Sequence, residues 1–113
     1  MVHMTRAIVC TELGPPENLR IVSQPHVALA DGAVRVAVRA AGLNFPDLLM
    51  IEGKYQFKPE LPFVPGMEAA GDVVEIAAGV AAFKPGDKVM VKMRHGAFAE
   101  EVVVSAAQLV ILL

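Results

Sequence analysis

Cysteine and aromatic residues are scarce in this chain, which has one cysteine, Cys10, one tyrosine, Tyr55, and no tryptophan. A lone cysteine cannot form a disulfide within the chain. That is typical of proteins from a reducing compartment, and we therefore expect a cytoplasmic location. One cysteine and three scattered histidines also cannot supply the four ligands of a structural zinc site.

Clustered charge of one sign and long hydrophobic segments are also missing. The 113 residues carry 10 Lys and Arg against 12 Asp and Glu. No basic run stands out, so nucleic acid and anionic membrane surfaces are excluded as partners. No apolar stretch approaches the roughly 20 residues that cross a bilayer. The N-terminus lacks the charged and then apolar segments of a secretory signal.

Common cofactor-binding and catalytic fingerprints are absent as well. No G-x-G-x-x-G occurs, so the chain has no dinucleotide-binding fingerprint of its own. Gly66 and Gly71 are followed by Asp72 and Val73, where a P-loop needs Lys and then Ser or Thr. No serine lies in a nucleophile elbow, so a hydrolase triad has no support.

What the chain has in excess is apolar residues, which make up 55% of it. This fraction suggests more hydrophobic surface than one small core can bury. The last five residues, 109–113, are all apolar. We interpret both features as signs that the chain is part of something larger or pairs with itself, and we expect a homo-oligomer. We predict one domain over residues 4–113 and interpret residues 1–3 as a remnant before a natural start at Met4.

The hydrophobic pattern is that of short strands separated by Gly and Pro turns. In the third predicted strand Val34, Val36 and Val38 face one way, and Arg35 and Arg39 face the other. The predicted strands cover residues 5–12, 19–25, 33–42, 71–80, the stretch after the 85–87 turn, 97–105, and a last strand from 108. Many short strands of this kind predict a small β-barrel or sandwich.

One segment departs from the strand pattern. Residues 45–53 predict a short helix with Pro46 in its first turn and Gly53 as its stop. Around it, residues 40–71 gather many of the prolines and glycines. We interpret this segment as an irregular active-site wall, because loops on a rigid scaffold commonly carry the functional site.

A family resemblance rests on this segment. The ordered strings "AAGLNFPDLLMIEGKYQFKPELPFVPGMEAAGDV", "FKPGDKV" and "GAFAEEVVV" resemble the zinc-free quinone oxidoreductase branch of the medium-chain dehydrogenase/reductase superfamily. The resemblance extends over nearly the whole chain from Met4. It implies a mainly β fold, the N-terminal GroES-like catalytic domain, which is a partly open β-barrel with one short helix after the third strand. In that family NADPH is bound by a Rossmann domain, which this chain does not contain.

The resemblance also predicts a site without metal. The zinc-dependent branch of the superfamily has a cysteine ligand where Asn44 stands and a histidine ligand where Met67 stands. An amide and a thioether in those places remove the two strongest zinc ligands. A site of this kind polarises a carbonyl by hydrogen bonds instead of by a Lewis acid.

The resemblance implies roles for individual residues. Asn44 would contact both the nicotinamide and the substrate oxygen, and Tyr55 would line the substrate pocket as a stacking ring and hydroxyl donor. The implied pocket comprises Phe45, Phe57 and Phe63 as apolar walls, with Asp47 and Glu68 orienting their neighbours. The implied function is the catalytic portion of an NADPH-dependent reductase of a small quinone or α,β-unsaturated carbonyl. Its partner would be a Rossmann domain or a second copy of the chain.

Several of these residues also have a plainer interpretation. Asn44 suits the N-cap of the predicted helix, and capping can coexist with catalysis. Tyr55 could be an ordinary half-buried ring, and Glu68 a buried, hydrogen-bonded carboxylate. The remaining residues that drew attention are interpreted as structural: Met50 and Met67 fill the core, Cys10 is buried and unreactive, and His95 is a solvated loop residue.

A second function stays open at this point. The apolar composition and the apolar final residues fit a stand-alone, non-enzymatic GroES-like module that associates with itself through its apolar face.

Overall fold

The computed structural model describes residues 3–112, which form seven β-strands, one α-helix and two short 3-10 turns. The elements are β1 (Met4–Val9), β2 (Arg20–Pro25), β3 (Ala33–Ala41), α1 (Phe45–Ile51), β4 (Glu68–Ile76), β5 (Lys88–Lys92), β6 (Glu101–Ser105) and β7 (Leu109–Ile111). The prediction of a mainly β fold with one short helix after the third strand is confirmed. No helix among the described residues is long and apolar enough to cross a bilayer.

The strands form two antiparallel sheets that together make an open barrel. β1 and β2 form a two-stranded sheet, and the larger sheet has the order β6-β3-β4-β5-β7. The small sheet is attached beside β6, since the Ile8 N–H donates to the Phe98 carbonyl at 2.8 Å and the Glu100 N–H donates to the Arg6 carbonyl at 2.9 Å. These bonds fold β1 onto one edge of the large sheet without closing the barrel.

The core of the large sheet is made of valines on alternate strand positions. Val34 and Val36 on β3, Val73 on β4, and Val89 and Val91 on β5 are all at most 1% exposed. Valine suits this position because its branched side chain packs well on a pleated surface. Burying each one contributes roughly 1.5 kcal/mol, and the resulting rigid sheet supports the irregular segment that follows β3.

Arg35 adds one detail to the predicted alternation. It faces away from the valine core, as expected, but it is only 3% exposed. Its Nε donates to Glu75 Oε1 at 2.8 Å, and its guanidinium also donates to the Val27 carbonyl. The chain after β2 therefore covers this face, and the buried charge is tolerated because it is paired.

Helix α1 begins at the predicted residue and ends two residues earlier than expected, and Gly53 provides its stop as predicted. Gly53 has φ +74°, and its N–H donates to the Met50 carbonyl at 3.1 Å. The Lys54 N–H donates to the Leu49 carbonyl at 2.8 Å. This pair of bonds is a Schellman motif, which requires the left-handed backbone that glycine adopts most easily.

The strand predicted from residue 97 begins four residues later than expected. The Ala97 N–H donates to the Gly66 carbonyl at 3.1 Å, and the Phe98 N–H donates to the Pro65 carbonyl at 3.0 Å. These residues therefore bind the irregular segment before the chain enters β6. The backbone of the irregular segment is thereby fixed against the barrel.

Candidate active site

Asn44 lies at the N-terminus of α1, immediately after the chain leaves β3. Its backbone is extended, with φ −124° and ψ 154°, and it forms one half of a capping box with Asp47. In this arrangement the Asp47 carboxylate Oδ2 accepts the Asn44 backbone N–H at 2.8 Å. Asn44 stands at the N-cap position of α1, as the capping interpretation predicted. The Asp47 N–H donates to the Asn44 backbone carbonyl at 3.0 Å, and the Asn44 side chain makes no cap hydrogen bond, so its NH₂ group remains available as a donor.

Asp47 is the buried carboxylate of this segment. It is 2% exposed, and its Oδ1 has no hydrogen-bond partner among the described residues. A buried oxygen without a partner lowers the stability of the fold. The side chain is held by its other oxygen, Oδ2, which accepts the Asn44 N–H. Asp47 thus fixes the position of Asn44 from behind.

The cavity beside Asn44 is almost entirely apolar. Its volume is about 480 Å³. Its polar lining side chains are Asn44 and Asp47, and the apolar ones are Pro16, Leu19, Leu43, Phe45, Leu48, Ile51, Pro65 and Phe98. Leu43 and Phe45 are 81% and 70% exposed. Phe45, predicted as a pocket wall, therefore stands at the open rim of the cavity.

Tyr55 lines a different, smaller cavity. This cavity has a volume of about 220 Å³ and is also lined by Gln56, Phe57, Met67 and Arg94. The Tyr55 ring packs partly buried against a second core cluster that contains Met50. Met67, in the place of the zinc-branch histidine, thus lies on the same cavity as Tyr55.

Phe57 and Phe63 lie together on a third cavity, of about 730 Å³, which also contains His95. The His95 ring stacks on Phe57 with centroids 5.9 Å apart at 29° and meets Phe63 edge-on at 5.9 Å and 78°. Its Nδ1 is 3.3 Å from the Val64 carbonyl oxygen. A carbonyl oxygen only accepts, so the bond places a proton on Nδ1 and makes Nε2 the acceptor in the neutral ring.

His95 lies in a loop, as the sequence predicted, but it is half-buried against Phe57 and Phe63 instead of being solvated. The string around it resembled an ordinary turn, and its partners Phe57, Phe63 and Val64 lie some thirty residues earlier in the chain.

Glu68 differs from its prediction as a buried, hydrogen-bonded carboxylate. It is only half-buried, and among residues 3–112 no side-chain hydrogen bond to it is present. Its Oε1 lies 2.2 Å from the place that a Cβ on residue 42 would take. Gly42 thus leaves the room in which the Glu68 carboxylate lies, and Glu68 lines none of the three cavities described above.

The predicted site residues are thus divided among separate cavities. Asn44, Phe45 and Asp47 share one, Tyr55 and Phe57 share the second, and Phe57 joins Phe63 on the third. Phe57 is the link between the second and third cavities.

Other reactive groups do not extend the site. Burial raises the pKa of the Cys10 thiol, which is 1% exposed, so Cys10 is a poor nucleophile at neutral pH, as predicted. Within the part of the chain that the structure describes, one group of possible metal ligands comes together, formed by His3, His26 and Glu101. It includes none of the predicted site residues.

Comparison with known proteins finds a family model and relatives of the same kind. The model of the alcohol dehydrogenase GroES-like domain matches residues 30–113. The rat synaptic vesicle membrane protein VAT-1 homolog is 46% identical over 105 residues, which is 91% of this chain and 26% of that protein. The chain therefore spans about a quarter of the length of this curated relative.

Solved structures agree in fold. A quinone oxidoreductase from Pseudomonas syringae has a TM-score of 0.89 and 37% identity, with 97% of this chain and 34% of that one covered. A mycobacterial protein solved in complex with NADPH has a TM-score of 0.85 and 35% identity, with 96% and 34% covered. At these identities and scores the likeness extends over the backbone of almost the entire chain.

Proposed function

Because this chain belongs to the family of alcohol dehydrogenase GroES-like domains, we propose that it is the catalytic-domain portion of an NADPH-dependent oxidoreductase. The substrate class is a quinone or an α,β-unsaturated carbonyl, and no metal takes part. The similar proteins named as a quinone oxidoreductase and as an NADPH complex support this proposal. The observation that carries it is the position of Asn44, which stands at the N-cap of α1 and lines an apolar cavity.

The cavity beside Asn44 fits the nicotinamide end of the cofactor. A flat ring with one amide group suits apolar walls that include Leu43, Leu48 and Phe98. The polar groups of the lining are the Asn44 amide and the Asp47 carboxylate. The chain has no glycine-rich fingerprint, so the phosphates of the cofactor need another domain. When bound, NADPH supplies a hydride for the reduction.

The residues of this chain would bind, polarise and shield the substrate. The NH₂ group of Asn44 donates a hydrogen bond to the carbonyl oxygen, where negative charge develops as the carbonyl is reduced. Tyr55 lines the separate, smaller cavity, where its ring offers a stacking surface and its hydroxyl a donor. Leu43 and Phe45, at the rim, help to exclude water once a second domain covers them.

The donor set argues for chemistry without zinc. An amide at Asn44 and a thioether at Met67 replace the thiolate and imidazole that bind zinc best. We expect the purified protein to contain no stoichiometric zinc after dialysis, measured by metal analysis.

The experiment that tests the function follows NADPH oxidation with a naphthoquinone. The chain alone should be inactive, and the chain joined to a nucleotide-binding domain of the same family should be active.

Asn44→Asp keeps an oxygen for the cap but has no NH₂ donor, so kcat should fall about 100-fold with little change in stability. Asn44→Ala should lose both activity and stability. An inactive joined protein, or an Asn44→Asp variant with full activity, would refute the proposal.

A second candidate function is favoured by the exposed apolar residues. Leu43 is 81% exposed, Phe45 is 70% exposed, and Val110 on the edge strand β7 is 57% exposed. A non-enzymatic module that associates with itself would cover such residues with a second copy. This alternative predicts an oligomer that forms without any nucleotide-binding domain.

A further inference from the structure

The cavity that contains Tyr55 has one charged lining residue, Arg94. We propose that Arg94 is a specificity-determining residue that selects an acceptor carrying a carboxylate. This inference rests on the proposed function, because it takes the Tyr55 cavity as the place where the acceptor binds. It narrows the substrate class from quinones and enones in general to anionic ones.

Arg94 is exposed and differs from the other four arginines in making neither an ion pair nor a side-chain hydrogen bond within residues 3–112. Arg20, which also has no ion pair, donates to the Glu17 and Leu19 carbonyls. Arg6 pairs with Glu100 at 3.2 Å and Arg39 pairs with Asp72 at 2.7 Å. A guanidinium offers five N–H donors in a planar fork that matches the two oxygens of a carboxylate. These donors are therefore free to bind a ligand.

The guanidinium is also held in position by its neighbours. Its central carbon lies 4.7 Å from the centroid of the Phe57 ring, which is the geometry of a cation–π contact. The Phe57 ring is stacked in turn on His95, and His95 is hydrogen-bonded to the Val64 carbonyl. Three successive contacts thus limit the freedom of Arg94 before any ligand binds, which lowers the entropy cost of binding.

The rest of the cavity provides no competing charge. Tyr55, Gln56, Phe57 and Met67 are neutral, and the cavity volume of about 220 Å³ is suited to a ligand with a single ring. An acceptor whose ring stacks on Tyr55 can direct a carboxylate toward Arg94. An otherwise identical neutral acceptor gains nothing from the guanidinium.

A binding titration of the 113-residue chain tests this without requiring turnover. The probes are para-carboxybenzalacetone and its methyl ester, which share the enone and the ring and differ in charge. Binding is followed by NMR, through the ring resonances of Tyr55. We expect the acid to bind about 10-fold more tightly than the ester at low salt, as a charge-assisted hydrogen-bonded pair would provide.

Three variants separate the role of Arg94 from general charge. Arg94→Gln should bind acid and ester equally, and Arg94→Lys should keep part of the preference because it keeps the charge. Lys92→Gln removes the same charge from a position that is exposed, as Arg94 is, but does not line the cavity, and it should leave the preference intact.

The outcomes decide between this inference and the proposed function. Equal binding of acid and ester to the unmodified chain, or a preference that survives Arg94→Gln, overturns the inference but leaves the enone pocket in place. If neither probe shifts Tyr55, the inference fails together with the pocket assignment. Lost preference in Arg94→Gln with unchanged ester binding supports both.

Discussion

At the start of α1 one carboxylate holds the backbone of the proposed catalytic residue. Asp47 is buried, and its Oδ2 accepts the Asn44 N–H at 2.8 Å. We expect Asp47→Ala to lower the free energy of unfolding by about 1.5 kcal/mol, because it removes the capping bond and leaves a donor without a partner. Urea unfolding followed by circular dichroism measures the change.

The matched control is Asp31→Ala, which removes an exposed aspartate that makes no ion pair within residues 3–112. We expect its stability to stay within about 0.5 kcal/mol of the unmodified chain. Equal losses in the two variants would show that the cap at Asn44 has no special role.

A second prediction at the scale of the residue concerns the stability of the fold at acid pH. Asp72 accepts from Arg39 Nε at 2.7 Å and lies 3.4 Å from Lys88 Nζ. The hydrogen bond from Arg39 is the main cause that lowers the pKa of Asp72 below its ordinary value of 3.8, with Lys88 adding to it against a smaller effect of burial. The unfolded chain then takes up a proton more readily than the folded one.

The stability contributed by Asp72 is therefore present at neutral pH and is lost as the pH falls below 3.8 through the pKa of the folded state. Urea midpoints measured from neutral pH into this acid range should fall less steeply in Asp72→Asn than in the unmodified chain. Asp31→Asn serves as the control and should keep the original slope. An unchanged slope in Asp72→Asn would contradict the assigned ion pairs.

Residues could be predicted from the sequence where their role depends on near neighbours. The cap position of Asn44 is of this kind, because its partner Asp47 is only three residues away. Cys10 was predicted to be buried from its apolar neighbours in the strand, although in the fold it packs on Met50, Ile51 and Phe63.

His95 was misjudged because its partial burial comes from Phe57 and Phe63, which lie more than thirty residues away in the chain but next to it in the fold. The burial of Arg35 beside Val27 was likewise not indicated by the strand pattern. Strand periodicity assigns a face, but it does not show what covers that face.

Among the secondary structure elements, the pairing of β3 with β4 depends on one glycine. Gly71 is opposite Val38 on β3, and a Cβ at this position would be 2.0 Å from the Ala37 carbonyl oxygen. We expect Gly71→Ala to lower the free energy of unfolding by about 3 kcal/mol, because two backbones would have to move apart. Urea unfolding again provides the measurement.

Gly32→Ala isolates the effect of backbone conformation. Gly32 has φ +78°, but no atom lies within 4 Å of a Cβ built there. The cost expected is therefore that of the left-handed conformation alone, about 1 kcal/mol. A Gly71→Ala variant no less stable than Gly32→Ala would show that close approach of the strands does not limit this position.

The existence of most elements was predictable, but their ends were not. Alternating valines identify β3 and β5 directly, and Pro46 and Gly53 mark the helix. The residues before β6 alternate like a strand, yet Ala97 and Phe98 bond to residues 65–66 instead. That choice depends on the path of the irregular segment, which is set by contacts distant in sequence.

At the scale of the whole molecule, the arrangement of the cavities was the feature that the sequence predicted least well. The resemblance gathered Asn44 and Tyr55 into one site, whereas they line separate cavities in the described residues. Asn44 and Tyr55 are separated because α1 lies between them in the chain, with Asn44 at its N-terminus and Tyr55 beyond its C-terminus. Their positions depend on how the helix packs on the second core cluster, which the sequence does not show.

The last prediction concerns which apolar surface is buried when the chain associates with a second copy. The first surface consists of Leu43 and Phe45, which are 81% and 70% exposed at the rim of the Asn44 cavity. The second consists of Val110 and Ile111 on the edge strand β7, which are 57% and 44% exposed. The first is the more exposed and borders an apolar concavity, so burying it would contribute more to association.

We therefore expect the isolated chain to form a dimer or larger species, measured by light scattering. Phe45→Glu should raise the dissociation constant of this species at least about 10-fold, because a buried unpaired carboxylate is strongly unfavourable. Val110→Glu is the matched change on the second surface and should leave the oligomer in place. A monomeric unmodified chain would exclude self-association through either surface. Dissociation by Val110→Glu alone would instead identify β7 as the contact, because charged residues on an edge strand block pairing with another strand.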